Sequence, residues 1–135
     1  MTKVVTVDYD STLSRRDVQE YVKELINRGI EVWVVTSRYD DLHKHKYNFV
    51  ADNNDLWAIV DELGIPRWKV RFCNMDDKAN YLMNTNTIWH LDDDHIELMH
   101  IRNARIKTVG IQVESGSWKS KCERLLIKTN KYDEN

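Results

Sequence analysis

Val4-Val5-Thr6-Val7 is an unbroken β-branched run that ends on a carboxylate, Asp8. A run without polar alternation reads as a strand buried on both faces. The period then changes. Val18, Tyr21, Val22, Leu25 and Ile26 recur at helical spacing between Asp17 and Arg28, and Gly29 follows where a helix should stop. Glu31 to Val35 predicts a second buried strand, closing on Thr36-Ser37-Arg38. Asp40 to Asn53 has no clean period and predicts helix only in part. Asp55 suits the N-cap of a helix that turns Leu56, Ile59, Val60 and Leu63 inward and stops at Gly64. Lys69 to Cys73 is a short third strand and Asp77 to Met83 a short helix. Thr87 to Leu91 is a fourth strand, running into Asp92-Asp93-Asp94. A helix over Ile96 to Arg102, a fifth strand over Ile106 to Val113 and a last helix around Lys121 to Ile127 complete the pattern.

Strands alternating with helices predict an α/β domain with a parallel sheet. In such sheets ligands bind beyond the carboxyl ends of the strands. The sharpest polar interruptions fall at those ends: Asp8 and Asp10, Thr36 to Arg38, Asn74 to Lys78, and Asp92 to Asp94. Four segments distant in sequence are therefore expected on one edge of the sheet.

Composition narrows the picture. The chain has 135 residues, the size of one domain, with 41% apolar and 31% charged residues. Its net charge of −2 gives no global field that would attract nucleic acid or membrane, so an acidic ligand needs a local site. Cys73 and Cys122 have no metal-ligand spacing and form no disulfide framework, which fits a reduced, cytoplasmic setting. No signal peptide or membrane-spanning run is expected.

Carboxylates gathered at one edge repel each other unless a cation sits among them. Oxygen ligands without cysteine or histidine favour Mg²⁺ over zinc. Residues i and i+2 of a strand share a face, so Asp8 and Asp10 can approach one phosphorus centre. One carboxylate can attack phosphorus, and the other can serve as general acid and base. Lys78 can neutralise a transferring phosphoryl group, and the Thr36 hydroxyl can donate to one of its oxygens.

At this point the chain resembles the haloacid dehalogenase superfamily of phosphohydrolases. Asp8-Tyr9-Asp10-Ser11-Thr12 is similar to that family's Asp-x-Asp-x-Thr motif at a strand end. Val34-Val35-Thr36, Lys78 at a helix start, and Leu91-Asp92-Asp93 resemble its second, third and fourth motifs, in the family's order. The resemblance implies a Rossmann-like three-layer sandwich with a five-stranded, mainly parallel sheet. It implies a Mg²⁺-dependent phosphatase working through an aspartyl-phosphate. Asp8 would be nucleophile and metal ligand. Asp10 would be the acid/base, with its backbone carbonyl on the metal. Thr36 and Lys78 would hold the phosphoryl group, with Ser37 and Arg38 as neighbouring substrate contacts. Asp93 would be the acidic ligand, with Asp92 ranked behind it.

Other aspartate-rich sites fit less well. An EF-hand loop needs glycine at its sixth position, where Leu13 stands. A response-regulator receiver would place its lysine after the last acidic cluster, whereas Lys78 precedes Asp92. Arg38 could equally pair with Asp40 or Asp41. The five histidines show no convincing metal spacing, and His90 reads as a packed strand residue. The five tryptophans read mainly as core, with Trp68 open to exposure. The basic bias of Lys119, Lys121, Arg124, Lys128 and Lys131 reads as a solvated helix face, with nucleic acid the minority reading.

Only six residues separate Asp10 from Asp17, and the stretch from Thr36 to Lys78 is short, so no sizeable cap domain is expected. An open site suits a large substrate such as a phosphorylated polynucleotide end or a protein, takes its missing wall from a second subunit, or belongs to a broad, weak phosphatase; within the enzyme class the contest is nucleotide against polynucleotide end. Tyr39 to Asn54 is the candidate lid. The competing reading is a binding or regulatory module with little turnover.

Overall fold

A computed structural model describes residues 2–46 and 52–133. Strands β1 (Val4–Val7), β2 (Glu31–Thr36), β3 (Val70–Phe72), β4 (Thr87–Asp92) and β5 (Val109–Gln112) form one open sheet in the order β3-β2-β1-β4-β5. Every adjacent pair is parallel. The helices are α1 (Arg16–Asn27), α2 (Asp41–Lys46), α3 (Asn54–Glu62), α4 (Lys78–Leu82), α5 (His95–Asn103) and α6 (Trp118–Asp133). The fold is the expected α/β three-layer sandwich. No helix among the described residues is long and apolar enough to cross a membrane.

The two helical layers are unequal. On one face Val5, Val7, Val32 and Val34 pack under α1, α3 and α6, with Trp89 at the centre. Tyr21 stacks 6.4 Å from Trp89, and Trp118 meets Tyr21 edge-on. Fully burying each such aliphatic side chain contributes about 1.5–3 kcal/mol. The other face has a much smaller core of Val35, Cys73, Ala79, Leu82 and Ile101 beneath α4 and α5. β1 and β2 are thus covered on both faces, which is why their sequences do not alternate.

Gly29 and Gly64 take φ of +79° and +74° just past α1 and α3, as helix-stopping glycines do. Some boundaries differ from the sequence reading. Asn53, not Asp55, occupies the N-cap position of α3. β5 starts at Val109 rather than Ile106, and α6 is longer than expected at both ends. β4 carries a register shift opposite β1, so Val4 pairs with Thr87 but Thr6 pairs with His90. That shift brings His90 and Asp92 onto the thinly covered face, below the strand end. The middle of the candidate lid, residues 47–51, lies outside the described residues.

Candidate active site

β1 ends where Asp8 N donates to Leu91 O at 2.9 Å, fixing Asp8 between β1 and β4. The chain then folds into a tight turn over Tyr9–Leu13, closed by Leu13 N donating to Asp8 O at 3.0 Å. Ser11 takes a left-handed φ of 57° to make that turn. Thr12 is buried by it, and its hydroxyl has no hydrogen-bond partner among the described residues.

The end of β1, the end of β4 and the start of α4 converge. Asp8 is 4% exposed, Asp92 0% and Lys78 2%. Lys78 Nζ donates to Asp8 Oδ1 at 2.9 Å and to Asp92 Oδ2 at 2.6 Å. Asp92 Oδ2 also contacts His90 Nε2 at 2.8 Å, and Asp92 Oδ1 accepts from Asp94 N at 3.1 Å. Each Asp92 oxygen is therefore already engaged by the protein. Asp93, the next residue, is half-buried, and its carboxylate lies beside that of Asp8. Asp8, Asp92 and Asp93 each bring a carboxylate oxygen within 4.8 Å of the others.

The charges explain how these groups differ. Burial, then the neighbouring Asp92, pushes Asp8 well above the usual carboxylate range, although Lys78 pulls it down. Burial alone would raise Asp92 too, but His90 and Lys78 hold it well below that range. Burial opposes the charge on Lys78, yet Asp8 and Asp92 together raise it above an ordinary lysine. Burial also raises Asp93. The centre holds three carboxylates against one lysine, so it is short of positive charge.

Thr36 ends β2 and is fully buried. Its oxygen accepts from Arg38 N at 3.2 Å, which leaves the hydroxyl hydrogen available to donate. Ser37 O accepts from Met75 N at 2.8 Å, tying the β2 loop to the β3 loop. Lys78 N donates to Glu97 Oε2 at 3.0 Å, and His100 Nδ1 lies 3.3 Å from Asp77. These contacts anchor the start of α4, and so Lys78, to α5. Ligand atoms of Asp77, Glu97 and His100 lie within 4.8 Å of one another, a grouping invisible to sequence spacing because Asp77 belongs to a different segment.

Asp10 lies in a second arrangement. Arg38 Nε and Nη2 grip its carboxylate at 2.9 and 2.7 Å. The same guanidinium grips Asp55 at 2.8 Å through both terminal nitrogens, above the Tyr9 ring. Arg38 thus pairs with Asp10 and Asp55, rather than with Asp40 or Asp41. Asp8, Lys78, Asp92 and Asp93 are brought together as expected; the Asp10 and Arg38 side chains face each other beside them.

Two participants escaped the sequence reading. His90 stands two residues before Asp92, so period two already placed both on one face. Its partner Thr6 meets His90 Nδ1 at 2.8 Å through the β1–β4 pairing. Asp55 carried no signal, being seventeen residues from Arg38.

No family model and no curated protein matches the chain. Among solved structures it is similar to the crystal structure of an uncharacterized protein from Corynebacterium glutamicum, with 11% sequence identity and a TM-score of 0.42. The alignment covers 96% of this chain and 93% of that one.

Proposed function

We propose that this chain is a phosphomonoester hydrolase of the haloacid dehalogenase type, with Asp8 as nucleophile. The observation that carries the reading is the buried contact of Asp8 with Lys78, which Asp92 holds in place at the strand edge. A carboxylate there is pointed, dry and next to a fixed cation, as an attacking group needs.

The donor set suits a hard divalent cation. Three carboxylates with one lysine leave an excess of negative charge, and all three oxygens lie within 4.8 Å of one another. Asp8 and Asp93 would hold Mg²⁺ directly, with the Asp10 carbonyl. Asp92 would serve mainly to fix Lys78, because both its oxygens are taken. Bound Mg²⁺ supplies charge neutralisation and polarises a phosphoryl oxygen.

The chain's own groups then divide the work. The Asp8 carboxylate forms a bond to phosphorus as the ester oxygen leaves. Asp10 delivers a proton to that leaving oxygen and later takes one from the water that cleaves the acyl phosphate. Delivery requires Asp10 to turn out of the Arg38 fork. Lys78 and Thr36 bind phosphoryl oxygens throughout. Nucleotides and phosphorylated polynucleotide ends are the proposed substrates, since among the described residues no inserted domain separates the elements that form the site.

The test is phosphate release from a broad phosphomonoester panel with Mg²⁺, using Asp8→Asn as control. Turnover in the wild type and none in the variant supports the proposal; no turnover on any member overturns it. A second reading, a binding or regulatory module, is favoured by one observation: Asp10 is already engaged by Arg38. A partner captured equally by wild type and Asp8→Asn would support that reading.

A further inference from the structure

The edge of the sheet opposite the candidate site carries the other charge. Three depressions follow one another around the N-terminal ends of the strands. The first, about 350 Å³, is lined by Trp33 and Val35 of β2, Arg71 of β3 and Tyr81 of α4. It shares Thr85 and Asn86 with a second of about 450 Å³ that holds Arg105 and Lys107. Asn86 and Lys107 lead on into a third of about 270 Å³, where Lys128 joins them.

Although the chain is net −2, this trail contains a single carboxylate, Glu31, and Lys69 neutralises it at 2.9 Å. Arg71, Arg105, Lys107 and Lys128 form no ion pair with any described residue. Aromatic rings cluster at the same end. Trp68 is 68% exposed and meets Trp33 edge-on at 5.6 Å. Arg71 lies 5.2 Å over Tyr81, and Lys69 lies 5.2 Å from the Trp68 ring.

One exposed and two half-buried rings beside a row of cations match one ligand chemistry well. Every nucleobase has a π-face, so such rings stack bases without regard to sequence, while the cations track phosphates. An acidic peptide would use the cations and leave the rings without partners. A lone nucleotide would fill the first depression and leave Arg105, Lys107 and Lys128 unused. We propose that this trail binds single-stranded nucleic acid, with bases at Trp33, Trp68 and Tyr81 and the backbone along Arg105, Lys107 and Lys128. The proposal is independent of the phosphotransfer reading, whose residues lie at the other ends of the same strands.

The experiment is fluorescence anisotropy of a labelled oligothymidylate of about twelve nucleotides, titrated with the full chain at low salt. Saturable binding is expected with Kd on the order of 10 μM. Log affinity should fall linearly with log salt, by about 0.7 per phosphate neutralised. Arg105→Glu with Lys107→Glu should weaken binding at least about tenfold and make the slope shallower. Lys107→Glu with Lys128→Glu, read the same way, covers misfolding of the first pair. Trp68→Ala should weaken binding about fivefold, leave the slope unchanged and reduce quenching of indole fluorescence by the oligonucleotide. Glu20→Gln, on an exposed position of α1 away from the trail, should bind as wild type does. The proposal is overturned by absent saturable binding, or by undiminished binding in both charge-reversal pairs. It is also overturned by loss of binding in Glu20→Gln, or by equal affinity for polyglutamate or for a duplex of the same length.

Discussion

His90 Nε2 lies 2.8 Å from Asp92 Oδ2, and both side chains are completely buried. The imidazole thus forms the floor of the candidate site. It holds the carboxylate that in turn holds Lys78 against Asp8. His90→Leu removes that donor and leaves a buried carboxylate oxygen underbonded. The expected loss is about 2–3 kcal/mol in urea unfolding, with the proposed phosphatase activity down at least about tenfold. His90→Gln, which keeps a donor, should recover most of both.

Lys78→Met should be the most damaging single change at the centre. It leaves Asp8 and Asp92 buried without their shared cation, a loss of about 3–5 kcal/mol at neutral pH. The sign of the pH effect follows from Asp8, which burial and Asp92 already raise above its unfolded value. The folded variant binds its proton more tightly than the unfolded chain, so its stability rises as pH falls through the folded value. Denaturant unfolding at neutral and mildly acid pH should show the gap to wild type narrowing. A constant gap would mean that Asp8 is not the uncompensated group.

Cation binding should be proton-linked. Asp8 and Asp93 are both raised, burial being the first cause, so a metal displaces protons from them. Calorimetry in buffers of different ionisation enthalpy should show proton release and Mg²⁺ affinity rising with pH. Asp93→Asn should lose binding, while Asp92→Asn should largely retain it. The reverse order would make Asp92 the direct ligand.

The Arg38 fork predicts an acid-labile contribution. Its hydrogen bonds to Asp55 hold that carboxyl down to about 2, against an ordinary value near 4. A depressed acid stabilises the fold above its unfolded pKa, and that stability is lost as pH falls toward 2. Asp55 is 56% exposed, so screening keeps the effect small, within about 1 kcal/mol. In Asp55→Asn the acid limb of the thermal stability curve should be correspondingly flatter between about pH 4 and pH 2.

Much of this centre could be read before the fold was known, and the reasons are local. Val4 to Val7 and Val32 to Val35 are apolar because both sheet faces are covered there. The first polar residue after each run therefore marks a strand end. Asp8, Thr36 and Asp92 were found in that way, and Lys78 by its place at a helix start. Asp55 was misread because an acid before Leu56 looks like a cap, whereas Asn53 holds that position. Ile106 to Thr108 looked like strand but only approach it, with Thr108 Oγ1 donating to Thr87 O before the ladder begins. The start of α6 was hidden by its polar composition, yet Trp118, Cys122 and Leu126 form a buried stripe at intervals of four. Pairings such as Arg38 with Asp10 depend on loop geometry that no period encodes.

The unequal helical layers give the molecule a stiff side and a soft side. β1, which carries Asp8, is backed by the large core under α1, α3 and α6. Lys78 rides on α4, a helix of five residues over a core of few side chains. Sub-global opening draws on elements with few buried apolar contacts, so hydrogen exchange should be faster in α4 than in β1. Asp8 and Lys78 therefore belong to different cooperative units. A partial opening that lifts α4 disarms the site while the strand beneath it stays folded.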